Sequence, residues 1–297
     1  MNRMVKLGFI GFGEAAYEMS SGFKAEGSKV EIRAFDVAYE KNKESFDKRA
    51  EKAGVTMVES LEALIGSSDV IMSMVPTAYT LTTAMDALKH VSAGQLFADA
   101  STSLPNDMVE IAKAAADRGL EFTDAAMLGS LPKDKHKVPI LVSGTGADRF
   151  LEIMKPLGMD IEKVSEKAGD ASAIKLTRSI YMKGLATLMT ETLMCAYKNN
   201  IQDKIIESIS VSLDGEKFVV TANRLIAGNA IHSERRTHEM ESVIEFAEEC
   251  GIKPTMTIAT KKSLEELNEL KLKEYFKDSK PKGYLDVMVA MHDKGIL

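Results

Sequence analysis

Apolar and polar positions change period along this chain, and each change predicts an element. Val5-Lys-Leu-Gly-Phe-Ile10 is a short apolar run that stops at a glycine turn, Gly11-Phe-Gly13. From 15 to 26 the apolar positions recur at helical spacing until Gly27 breaks them. Val30-Glu-Ile-Arg-Ala-Phe-Asp36 alternates with period two and predicts a second strand. Asp69-Val-Ile-Met-Ser-Met-Val75 is nearly continuous and ends at Pro76, the pattern of a strand buried on both faces of a parallel sheet. Gln95-Leu-Phe-Ala-Asp99 repeats it, a helix follows near 106–118, and Leu120-Glu-Phe-Thr-Asp124 and Pro139-Ile-Leu-Val-Ser143 read as two more strands. Strands alternating with helices predict a doubly wound sheet whose right-handed crossovers bring the strand ends to one crevice.

The period shifts near Gly169. Over 171–198 apolar residues keep helical spacing on more than one face, which predicts a long, buried helix. Segments 205–213, 216–225, 233–249, 255–270 and 284–293 also read as helices. The expectation is an α/β chain: a doubly wound domain over 1–168, then an all-α domain over 169–297. An exposed apolar face on the helical part would favour a homodimer.

Composition narrows the classes. A length of 297 residues suits two domains, and 45% hydrophobic content allows a sizeable core. The net charge of −6, with acids and bases interspersed, offers no basic stripe for nucleic acid. Gly8, Gly11 and Gly13 interrupt the first apolar run, so neither a signal peptide nor a membrane span is expected, and the protein reads as cytoplasmic. Cys195 and Cys250 are far apart in sequence and read as reduced thiols; with the histidines scattered, no metal site is expected.

The glycine turn carries the clearest chemistry. Gly11 permits a sharp turn after the strand, Gly13 lets a pyrophosphate approach the main chain, and Ala16 lets the next helix sit close to the strand. Phe12, Glu14 and Ala15 complete a turn and helix start whose free N–H groups and dipole face the phosphates. Asp36, closing the second strand, is placed to accept from ribose hydroxyls and repel a 2′-phosphate. These residues define a Rossmann-type dinucleotide site favouring NAD; Lys41 and Lys43 downstream leave NADP as the alternative. Val75 and Pro76 would wall the cofactor.

Two further strand ends and one helix face could carry a reaction. Asp99-Ala-Ser101-Thr102-Ser103-Leu-Pro105 offers hydroxyls just before a helix and also has the look of a helix cap. Asp124-Ala-Ala-Met-Leu-Gly129-Ser130 joins a strand end to a turn where a carboxylate could approach the backbone. Lys175, Arg178 and Ser179 share one face of the long helix among apolar neighbours. A desolvated lysine there could exchange a proton near neutrality.

Together these segments resemble the β-hydroxyacid dehydrogenase superfamily, which includes 3-hydroxyisobutyrate and 6-phosphogluconate dehydrogenases. The resemblance spans the chain and is similar to a branch of NAD-binding, 6-phosphogluconate dehydrogenase-like proteins of unsettled substrate. It implies that Lys175 is the acid–base residue and that Ser101, Thr102 and Gly129 contact a small hydroxy carboxylate. The chain departs from the family where Ser179 replaces a usual asparagine and Leu128-Gly129-Ser130 replaces Ser-Gly-Gly. Arg178, or Arg235 or Arg236 in Ile231-His-Ser-Glu-Arg-Arg-Thr-His-Glu239, could supply a lost anionic contact; surface pairing of those later arginines with Glu234 or Glu239 is the other reading. Met182, where decarboxylating members carry glutamate, favours simple oxidoreduction. An imine reductase of the same fold and a non-catalytic NAD sensor are the rival readings.

Overall fold

The computed structural model describes residues 4–277 and 279–296. Among them, strands β1 (Val5–Ile10), β2 (Val30–Phe35), β3 (Val55–Met57), β4 (Val70–Ser73), β5 (Leu96–Asp99), β6 (Phe122–Met127), β7 (Ile140–Ser143) and β8 (Ile161–Ser165) form one sheet. Their order is β3-β2-β1-β4-β5-β6-β7-β8. Neighbouring strands pair in parallel except β6 and β7, which are antiparallel, so β7 and β8 run opposite to the other six.

Helices α1 (Glu14–Glu26), α2 (Lys43–Ala53), α3 (Leu61–Gly66), α4 (Thr80–Leu88), α5 (Pro105–Ala116), α6 (Leu131–Asp134) and α7 (Ala147–Met154) connect the strands. They supply two cores. Phe23 of α1, Ala50 of α2 and Phe150 of α7 pack with Phe9 and Ala98, while Leu64 of α3, Ala84 of α4 and Ile111 of α5 pack with Ile71 and Phe97. Side chains that alternate along each strand thus feed two apolar layers, which explains why the central strands read as unbroken apolar runs.

The edge strands β3 and β8 escaped the sequence reading because each is short and half polar. The β6 expectation was also displaced: the strand starts at Phe122 and continues to Met127, which puts Asp124 inside the sheet rather than at its end. The remaining helices are α8 (Asp170–Lys198), α9 (Gln202–Leu213), α10 (Phe218–Glu249), α11 (Thr255–Glu269), α12 (Leu272–Tyr275) and α13 (Tyr284–Asp293).

The chain groups into two compact units, 1–179 and 180–297, so the first turns of α8 belong with the sheet. A row of polar side chains crosses that sheet: Ser73, Asp99, Asp124 and Ser143 are register partners on β4, β5, β6 and β7. All four are buried. Asp124 holds the start of α8, its carboxylate accepting from the Gly169 N–H (3.0 Å), the Ser172 N–H (3.1 Å), the Ser172 hydroxyl (2.6 Å) and the Ser143 hydroxyl (3.1 Å). These are the donors that a helix N-terminus leaves over.

In the second unit Glu191 of α8 caps α11, accepting from the Met256 N–H (2.8 Å) and the Thr257 N–H (2.9 Å). Burial alone would raise its carboxyl, but hydrogen bonds from Thr257 and the α11 amides outweigh it and hold the group below its ordinary value. The predicted helices 216–225 and 233–249 are one element with a break at His232, where Arg236 folds back onto Asn229 and over Gly228. The expected burial of the long helix is not met within one chain. Ile180 and Tyr197 are 76% and 72% exposed, and Met182, Leu188, Met189 and Met194 are exposed as well, because these faces meet no further layer of the same unit. Asn199 brings the half-buried thiols together, its amide donating to the Cys195 carbonyl (2.9 Å) and to Cys250 Sγ (3.2 Å). Among the described residues no helix is long and apolar enough to cross a membrane, and none of the His, Cys, Asp and Glu side chains cluster as a metal site would require.

Candidate active site

The strand order reverses direction of growth between β1 and β4, and a ligand crevice is expected at that switch. A cleft of about 1020 Å³ opens there, lined among others by Gly11, Gly13, Asp36, Val75, Pro76 and Tyr79. Gly11 has φ +91°, and a Cβ on it would lie 2.6 Å from the Met74 carbonyl oxygen, so the turn excludes any side chain. Gly13 faces open space at the N-cap of α1, followed by exposed Glu14 and half-buried Ala15. Ala16 and the Phe12 ring are fully buried beneath the turn.

Asp36 is held from two sides, Oδ2 accepting the Phe12 N–H (2.9 Å) and Oδ1 the Ala38 N–H (2.8 Å). Its carboxylate is therefore fixed at the end of β2 with lone pairs to spare for a diol. Arg49, which sequence reasoning missed, lies with its guanidinium 5.3 Å from the Phe12 ring and 5.4 Å from Tyr17, and donates to the Gly13 carbonyl (3.3 Å). No local pattern marks it, since the contact spans from α2 back to the turn. The donors of α1, the bare turn, the cleft and the fixed Asp36 fit a dinucleotide.

Next to the cleft, Ser101 Oγ accepts the Val75 N–H (3.1 Å) and donates to Asp99 (3.2 Å). Thr102 follows with φ +65°, an outlier for a β-branched residue that costs about 1–3 kcal/mol and concentrates at functional sites. Its carbonyl accepts from Thr77 (2.9 Å), and its Oγ1 accepts from Lys175 Nζ. Lys175 is half-buried on α8, one turn beyond the Asp124 anchor, Ser179 is half-buried and Arg178 is exposed. Asp99 is 1% exposed; burial pushes its carboxyl up to about 7, Asp124 adding to the effect and donors from Ser101 and Ser73 opposing it.

The remaining expectations fall elsewhere. Gly129 is exposed, and the carboxylate beside it is the chain's own: Asp134 Oδ2 accepts the Ser130 N–H (3.2 Å) and lies 2.9 Å from where a Gly129 Cβ would be. Arg235 is exposed in the second unit and paired with Glu239 at 2.5 Å.

Fold, switch-point cleft and glycine turn define a Rossmann-type dinucleotide-binding domain, in a fold like that of the hydroxyacid dehydrogenases. The chain belongs to the family built on the NAD binding domain of 6-phosphogluconate dehydrogenase, whose model matches residues 6–164; residues 196–267 match a domain of unknown function, DUF1932. It is 30% identical over 265 residues, 89% of this chain and 100% of the relative, to an uncharacterized 28.5 kDa protein of Methanothermus fervidus. It is 24% identical to 2-(hydroxymethyl)glutarate dehydrogenase of Eubacterium barkeri, over 75% of this chain and 73% of that one. In fold it is similar to the imine reductase of Aspergillus terreus, solved with NADPH4 (TM-score 0.72, 15% identity, 93% and 100% of the two chains).

Proposed function

We propose that this protein is an NAD-dependent dehydrogenase, or in reverse a reductase, of a small hydroxy carboxylic acid, with Lys175 as its acid–base group. The observation that carries the reading is the bond from Lys175 Nζ to Thr102 Oγ1, on a strained residue next to Ser101, which is itself tied to the cleft-lining Val75. A lysine held by a hydroxyl beside a residue tied to the cleft wall can, as the neutral amine, take the proton of an alcohol bound next to it. When bound, the nicotinamide supplies the hydride acceptor. Thr102 orients Nζ, Ser101 contacts the substrate's oxygens, and Ser179 and Arg178 extend the same α8 face toward its carboxylate; Asp134, lying against Gly129, weakens that residue's share in the contact. Arg235 has a partner already in Glu239, which weakens its share in that contact.

NAD is favoured over NADP because Asp36 stands where a 2′-phosphate would go. Lys43 is engaged over the Tyr39 ring at 5.4 Å, and Arg33 is taken up by Glu31 and the Ser67 carbonyl. The exposed apolar side chains of α8, with Ile206 and Val211 of α9 and Phe218 of α10, support a homodimer through the helical unit. A solution mass equal to one chain would remove that part. A cytoplasmic location belongs to the same proposal, being the compartment in which the neighbouring free thiols stay reduced.

One observation favours a second reading. Asp134 beside Gly129 and Ser130 would repel a substrate carboxylate, and an imine reductase with a neutral substrate would be indifferent to it. The test is the initial rate of NAD and NADP reduction across 2- and 3-hydroxy acids, including dicarboxylates and phosphorylated acids, for the parent and Lys175→Ala. Turnover that prefers NAD and collapses in the variant is expected. Equal rates would strip Lys175 of its role; reduction of cyclic imines alone would establish the second reading, and dinucleotide binding with no turnover would indicate a sensor.

A further inference from the structure

Ser101 is wired inward as well as outward. Its N–H donates to Asp99 Oδ1 (2.9 Å), its hydroxyl donates to Asp99 Oδ2 (3.2 Å), and its oxygen accepts the Val75 N–H. The Ser73 hydroxyl lies 3.4 Å away. A serine hydroxyl has one proton and two lone pairs. With Asp99 ionised, that proton points to Asp99 and one lone pair serves Val75, so Ser101 can show a substrate only a lone pair. With Asp99 protonated, the carboxyl donates to Ser101 Oγ and the serine proton turns outward.

We propose that Asp99 is a positioning residue that sets the direction of the Ser101 O–H bond, making Ser101 a donor to a carboxylate oxygen only while Asp99 is neutral. This rests on Ser101 as a substrate contact. The surroundings make the exchange accessible near neutrality. Asp99 is shut from water; Asp124 faces it from β6 as a second carboxyl, Ser73 faces it from β4, and the α8 lysine at the site, Lys175, bonds Thr102. The burial-driven shift to about 7 agrees with that geometry.

The consequence is a loss of carboxylate affinity as pH rises. The competent fraction falls about tenfold between pH 6 and 8, and apparent KM for the hydroxy acid selected by the panel rises about tenfold with it, while KM for the dinucleotide stays flat. Asp99→Asn, whose amide accepts the Ser101 N–H and donates permanently to Oγ, should make the acid KM flat over that range. The same acid KM profile in parent and variant would overturn the proposal.

A second readout needs no turnover. The parent should show a protonated-carboxyl infrared band that fades between pH 6 and 8 and is missing from Asp99→Asn; Ser101→Ala, which removes a donor to the carboxylate, should move its midpoint upward. A midpoint unmoved by Ser101→Ala would sink the coupling. A moved midpoint in a protein that turns over no hydroxy acid would uphold the coupling and discard the dehydrogenase reading instead.

Discussion

The buried Asp99 makes stability depend on pH in a direction opposite to most carboxylates. Its folded-state pKa stands at about 7 against an ordinary 3.8, so the folded chain keeps a proton that the unfolded chain has released. Stability from this group is therefore complete below pH 3.8 and is lost as pH rises through 7. At 1.36 kcal/mol for each unit of displacement, the loss amounts to about 4 kcal/mol above pH 8. Asp99→Asn removes the titration while keeping the shape. Urea unfolding of parent and variant at pH 4, 6 and 8, with m unchanged, gives a difference in unfolding free energy in which every titrating group not coupled to Asp99 cancels. That difference should shift in the variant's favour by about 4 kcal/mol from pH 4 to 8, most of it before pH 7. A difference constant with pH would refute the account, for it would mean that Asp99 is ionised in the folded state at no cost.

Three other substitutions probe separate parts of the molecule. Asp124→Ala strands the Gly169 and Ser172 N–H groups and two hydroxyls; a loss of about 3–5 kcal/mol in urea unfolding is expected, with kcat falling as the Lys175 helix loosens. Gly11→Ala forces a Cβ against the Met74 carbonyl at positive φ, so thermal unfolding should fall by the equivalent of about 2 kcal/mol and the Kd for NADH, followed by fluorescence, should rise more than tenfold. Glu191→Ala removes the cap of α11 and should cost about 1–2 kcal/mol, seen as faster amide exchange at Met256 and Thr257 with NADH binding unchanged.

Much of this architecture was legible because its signals are local. The apolar run before Gly11, the alternation up to Asp36 and the stop at Pro76 each follow from the period of one segment, and so do the helical placement of Lys175 and its neighbours. What was not legible depends on partners distant in the chain. Direction is not a property of a strand's own pattern, so the reversal of β7 left no trace in Ile140 to Ser143. The approach of Asp134 to Gly129 depends on how the β6–β7 connection folds back. Asp99 ended an apolar run like any strand residue, and only its register beside Ser73 and Asp124 reveals a carboxyl walled off from water. The long α8 was read as buried from its apolar faces, a sound inference about what those faces need and a wrong one about what a single chain provides.

The reversal of β7 bears on how such a chain can diverge. Parallel neighbours must be joined by a crossover that spans the sheet, and its helix cannot be lengthened or recut without disturbing a core layer. An antiparallel pair carries no such obligation. The connection from β6 to β7, which holds Gly129 and Asp134, leaves from the carboxyl end of a strand and returns without crossing the sheet. Its ties to α1 run through Lys135 to Glu18, Lys137 to Glu26 and the His136 ring against Phe23. Insertions and deletions in the exposed turn at Gly129 and Ser130, ahead of Leu131 where the connection meets the core, can therefore accumulate among descendants without moving a crossover helix, while the glycine turn after β1 stays fixed.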